Sequence, residues 1–144
     1  MRGVLVVVPA VVVLAACGGG GGGRLSASEY RSKADAICAD ANQKLKKIGN
    51  PSTPAELRSL MKKARPTLKN AIGKLESLEP PQDLEPKVDT WNGKNERLLD
   101  KYDEVSKERN FVKLQTEAQE LAKLNDEANN YARTQLGLTD CASG

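Results

Sequence analysis

Residues 26–144 of this chain predict an all-α fold, an up-down antiparallel four-helix bundle. Three observations predict it. Apolar residues recur at three- and four-residue spacing through four successive stretches, which gives each an apolar face when wound as a helix. Capping residues, glycine and proline punctuate the boundaries between the stretches. The connections are short, so neighbouring helices run antiparallel. No stretch reads convincingly as a strand.

The first helix begins near Ser26. Ser26-Ala27-Ser28-Glu29 fits a capping box, in which hydroxyl and carboxylate satisfy free N–H groups of the first turn. Its stripe is Tyr30, Ala34, Ile37, Cys38, Ala41, Leu45 and Ile48, and Gly49-Asn50-Pro51 stops it. The second helix opens at Thr53-Pro54-Ala55-Glu56, a second capping box with proline in the first turn. Its stripe runs from Leu57 through Leu60, Met61, Ala64, Leu68, Ile72 and Leu75 to Leu78. Pro66 removes a hydrogen bond to the Lys62 carbonyl and is expected to kink or break this helix. Pro80-Pro81 ends it.

The third helix is expected from Asp83, with Leu84, Val88, Trp91, Asn95, Leu98, Tyr102 and Val105 along one face. A turn follows around Lys107–Asn110. The fourth helix carries Phe111, Leu114, Ala118, Leu121, Asn125, Ala128, Ala132 and Leu136. Gly137 fits a left-handed cap, with Leu138 folding back onto the last turn.

The residues before the bundle divide in two. Met1–Ala16 has a positive start at Arg2, an apolar stretch Val4–Leu14 and then small residues, the pattern of a cleavable signal peptide. The stretch is too short to cross a bilayer as a helix. Its end, Leu14-Ala15-Ala16-Cys17, resembles the lipobox of bacterial lipoproteins. That resemblance implies cleavage before Cys17 and a thioether-linked diacylglycerol on it. The bland alternative is ordinary cleavage after Ala16, which leaves an unpaired thiol on an exported protein. Residues 17–25 then form the lipid site and a tether rich in glycine. Six glycines reach at most roughly 20 Å, so the domain rides close to the membrane.

Cys38 and Cys141 remain as an even pair, which in an exported protein is usually a disulfide. Such a bond staples the C-terminal tail to the first helix. The alternative is a redox-active pair, although redox pairs usually sit together as Cys-x-x-Cys.

Composition narrows the chemistry. Net charge is +3 from 22 basic and 19 acidic residues, and aromatic content is 3%, so neither a basic nucleic-acid arm nor a base-stacking surface is present. The count of histidine is 0, which removes His-based acid–base catalysis and most zinc sites. No EF-hand spacing occurs. The expectation is therefore a non-enzymatic protein with no metal and no cofactor.

Three features invite a functional reading. Asn95 and Asn125 interrupt the apolar stripes at similar height in a hairpin that turns near residue 110. They form a buried polar layer that fixes register, or sit at a wet edge, or line a small-ligand pocket with Asn42 or Asn129. Trp91, the single tryptophan, stands at a stripe position and reads as a core anchor. Arg58, Lys62, Lys63, Arg65, Lys69 and Lys74 make the second helix basic. That face is either simply solvated or laid on anionic head groups.

Tyr30 with Ala34-Asp35-Ala36-Ile37-Cys38, Asn42, Pro80-Pro81, Trp91 and the ending Leu136-Gly137-Leu138-Thr139-Asp140-Cys141 form a further set. Together they resemble small secreted or lipid-anchored helical proteins of actinobacteria that lack an assigned activity. The resemblance implies a helical bundle with a Cys38–Cys141 bridge and supplies no catalytic residue. It also implies a Gram-positive cell and an anchor in the outer leaflet of the cytoplasmic membrane. The expected role is an interaction or accessory module with an envelope protein partner. A small-ligand or lipid carrier with a pocket in the bundle is the alternative.

Overall fold

The computed structural model describes residues 23–143, so Met1–Ala16 and Cys17 lie outside the described residues. The fold is all-α with helices α1 (Ala27–Lys46), α2 (Pro54–Glu76), α3 (Glu85–Lys107) and α4 (Phe111–Tyr131). They run up and down in sequence. α2 packs against both α1 and α3, and α3 packs against α4. No described helix is long and apolar enough to cross a membrane.

The capping box of α1 is present. Ser26 Oγ accepts from the Glu29 N–H at 3.2 Å, and the Glu29 carboxylate accepts from the Ser26 N–H at 2.9 Å. The Ser26 hydroxyl also donates to the Glu29 carboxylate, at 2.7 Å, and together with the Ser26 N–H it holds the Glu29 carboxyl below its ordinary range. α2 corrects the expected second box. Thr53 Oγ1 accepts from the Glu56 N–H, but the Glu56 carboxylate takes the N–H of Ser52, at 2.7 Å. A bend at residues 52–53 carries that N–H over the first turn.

Pro66 does not break α2, which is continuous from Pro54 to Glu76. Lys62 and Pro66 both lie on the exposed face, where water can satisfy the carbonyl that proline leaves free. α3 starts at Glu85, two residues later than expected from Asp83. Residues 82–84 form a turn in which the Leu84 and Glu85 N–H groups both donate to the Pro81 carbonyl. That turn drops Leu84 into the core. Asn110 caps α4, its Oδ1 accepting from Val112 and Lys113 N–H at 3.0 and 3.1 Å.

At its far end α4 widens into a π-helical turn, Ala132–Leu136, closed by Gly137 at φ 69°. The N–H groups of Gly137 and Leu138 both reach the Ala132 carbonyl. Leu138 folds back and is fully buried, as its sequence position implies.

The interior has two apolar clusters. The first joins Tyr30 and Ala34 of α1 to Leu75, Leu84, Val88, Trp91, Leu136 and Leu138. The second holds Met61, Leu98, Val105, Leu114 and Leu121, and α1 contributes nothing to it. The bundle is thus four helices deep at one end and three at the other. The chain joins the body at the four-helix end. Leu25 N–H donates to the Glu79 carbonyl at 2.8 Å, and Arg24 pairs with Glu85 at 2.9 Å. The Arg24 hydrogen bond holds the Glu85 carboxyl below its ordinary range.

Candidate functional site

Cys38 and Cys141 form a disulfide with Cα atoms 4.9 Å apart, and Cys141 is buried. The bond closes a band of contacts that sequence reading missed. Arg31, Asp35, Cys38 and Asn42 follow one another at four-, three- and four-residue spacing, which places them on one face of α1. All four hold the C-terminal segment. Arg31 Nε donates to the Leu136 carbonyl at 2.7 Å, and Asn42 donates to the Asp140 carbonyl at 3.0 Å. One Asp35 oxygen accepts from the N–H groups of Thr139, Asp140 and Cys141 at 3.0, 2.9 and 3.3 Å. The other accepts from the Thr139 hydroxyl. The sequence signal was the spacing itself, a polar row beside the apolar stripe. The Cys38–Cys141 pair pointed to the tail, but nothing in the sequence said that Arg31, Asp35 and Asn42 would hold its backbone.

Asn95 is buried in α3, and Asn125 is half-buried in α4. Two α3–α4 ion pairs bracket their level, Lys94–Glu127 at 3.8 Å and Lys101–Glu120 at 2.9 Å. The two asparagines therefore stand at matching height. Asn42 is not brought to them, because its amide is engaged on the tail. Among the described residues, the best-formed hollows are open to solvent, and neither Trp91 nor Asn95 lines them.

Trp91 is 2% exposed in the first cluster, as a core anchor should be. Its Nε1 and the Tyr30 Oη are buried without a hydrogen-bond partner. Burial pushes the Tyr30 hydroxyl up to about 12. In the unfolded chain it ionises near pH 10. This proton linkage favours the fold below pH 10 and is lost as pH rises through 12, by on the order of 2 kcal/mol. Tyr30→Phe is expected to be neutral or up to about 1 kcal/mol stabilising at pH 8, since it removes an unpaired hydroxyl. The same variant should lose less stability than wild type between pH 9 and 11.5. Urea unfolding at pH 8, 9 and 11.5 checks both statements; a destabilised variant at pH 8 contradicts the first, and an equal alkaline loss contradicts the second.

The three-helix end presents a different surface. Phe111 and Val112 are 55% and 68% exposed, large apolar side chains left in water. Phe111 borders an open groove of about 340 Å³ lined with Pro54, Leu57, Leu114 and Ala118. Beside it, Arg58, Lys62, Lys107 and Arg109 line a hollow of about 510 Å³. Lys107 is engaged by Asp103, whereas Arg58, Lys62 and Arg109 make no ion pair among the described residues. The basic character of α2 was legible in sequence. Its junction with the exposed start of α4 was not, because that depends on which helix ends meet. No cluster of metal-ligating side chains occurs among the described residues. Comparison of the chain with family models, curated proteins and solved structures finds no match.

Proposed function

We propose that this protein is a lipid-anchored lipoprotein on the extracytoplasmic face of the cell membrane, acting there as a non-enzymatic interaction or accessory module. The carrying observation is the order of parts along the chain. A signal-like stretch ends in Leu14-Ala15-Ala16-Cys17, a glycine run follows, and a stapled helical body begins at once. A disulfide that ties the body together suits an oxidising compartment outside the cytoplasm. A carrier role would call for an enclosed cavity, and the best-formed hollows are open.

Two measurements test this reading. Mass spectrometry of the mature N-terminus is expected to show diacylglycerol on Cys17, absent from Cys17→Ser. Crosslinking in intact membranes followed by affinity capture is expected to recover an envelope protein from wild type and less of it from Cys17→Ser. An unmodified Cys17 thiol would overturn the anchor, and capture of no protein from wild type would overturn the accessory role.

A further inference from the structure

We propose that the three-helix end of the bundle is a second membrane contact, so that the domain lies along the bilayer surface. The occupant is an anionic phospholipid surface. Three observations carry the proposal. First, Arg58, Lys62, Arg109 and Lys113 gather at this end without ion-pair partners among the described residues. Cations near an anionic surface each strengthen binding about fivefold. Second, Phe111 and Val112 stand exposed within this cationic set, at the first turn of α4. Apolar side chains among cations fit the head-group boundary, where ring and methyl groups enter the acyl layer while charges stay at phosphate level. A site for a free anion would have no use for them. Third, the opposite end is acidic. Glu76, Glu79, Glu85 and Asp89 line the hollow where Arg24 brings the chain in. An anionic bilayer repels that end and attracts the other, which tips the body over.

The tether sets the angle. α3 has 23 residues and spans about 34 Å. The seven residue steps from Cys17 to Arg24 let the chain's joining point rise at most roughly 25 Å above the surface. With the far end seated on lipid, the bundle axis therefore lies within roughly 50° of the bilayer plane. Arg58, Lys62 and Lys69 recur at four- and seven-residue spacing, with Arg65 between them paired to Asp103 of α3 at 3.5 Å, so the free cations of α2 run along that axis.

The proposal adds to the anchored reading, and it is tested without the anchor. The probe is the chain from residue 17 with Cys17→Ser, which keeps both apolar clusters and the disulfide. It is expected to pellet with vesicles of phosphatidylglycerol and phosphatidylcholine at low salt, and not with phosphatidylcholine alone. Salt at about 1 M should release it, because the screening length falls to about 3 Å. Lys62→Gln with Arg109→Gln should weaken binding on the order of thirtyfold. Phe111→Ser should weaken it separately. All three side chains are exposed, so far-UV circular dichroism should not change. No pelleting with phosphatidylglycerol vesicles overturns the proposal, as does pelleting indifferent to these substitutions. Competition by glycerol phosphate with no effect of Phe111→Ser would mark a site for free anions and overturn it too. Unchanged vesicle binding with loss of a crosslinked protein would assign this end to a protein partner instead. The anchor itself is judged by the mass of the residue at position 17, so the two readings fail separately.

Discussion

Replacing both bridge cysteines, Cys38→Ala with Cys141→Ala, is expected to lower stability by about 4–5 kcal/mol. The bond joins residues 103 apart, and constraining a loop of that length in the unfolded chain is worth about 4.7 kcal/mol in the chain-entropy model. For a domain of this size the loss corresponds to a fall in Tm of about 15 °C. Alanine is the better replacement, because Cys141 is buried and a serine hydroxyl there would add a second penalty. The helices should persist below the new midpoint. Arg31, Asp35 and Asn42 still hold the tail, and Leu138 still fills its place. Thermal unfolding of wild type, reduced wild type and the double variant measures this. A change below about 1 kcal/mol would show that the unfolded chain already keeps its ends together.

Trp91→Ala should be of similar size, costing about 3–5 kcal/mol. The indole is part of the cluster that holds Tyr30 and Ala34 of α1, Val88 of its own helix, and Leu136 and Leu138 near the C-terminus. Truncation opens a cavity at the level where all four helices meet. Relief of the unpaired Nε1 offsets a part of the loss. Trp91→Phe separates the two contributions. It keeps most of the bulk, drops the orphaned N–H, and is expected to cost no more than about 1.5 kcal/mol. Denaturant titration resolves the difference. Because the chain has 1 tryptophan, its fluorescence should report the same event, blue-shifted when native and red-shifted on unfolding. A phenylalanine variant as unstable as the alanine one would mean the N–H has a partner in solution.

Much of this architecture is legible in the chain because local signals agree with one another. Ser26 and Glu29, Thr53 and Pro54, and Gly137 followed by Leu138 each mark a boundary by chemistry that works within a few residues. What escaped the sequence is set by neighbours distant along the chain. Pro66 reads as a breaker only if its carbonyl partner is dry, and burial decides that. Asp83 looks like the start of α3, yet the need to bury Leu84 moves the start to Glu85. Asp35 reads as one more surface carboxylate until the tail wraps it with three backbone N–H groups. The candidate surface follows the same rule. The cations of α2 are visible in order, but their meeting with Arg109 and Phe111 belongs to the packing of three helix ends.

The row Arg31, Asp35, Cys38 and Asn42 also sets a timetable for folding. Each of these side chains waits for a partner about 100 residues downstream, which is synthesised after α1, α2, α3 and α4. Until then α1 has its α2 seam but an open flank and a free thiol. The three-helix end has no such dependence, because its cluster draws on α2, α3 and α4 alone. Maturation thus ends with a latch at the end where the chain joins the body. A product truncated before Cys141 would carry Cys38 as a free thiol, a chemical mark that distinguishes it from the finished molecule.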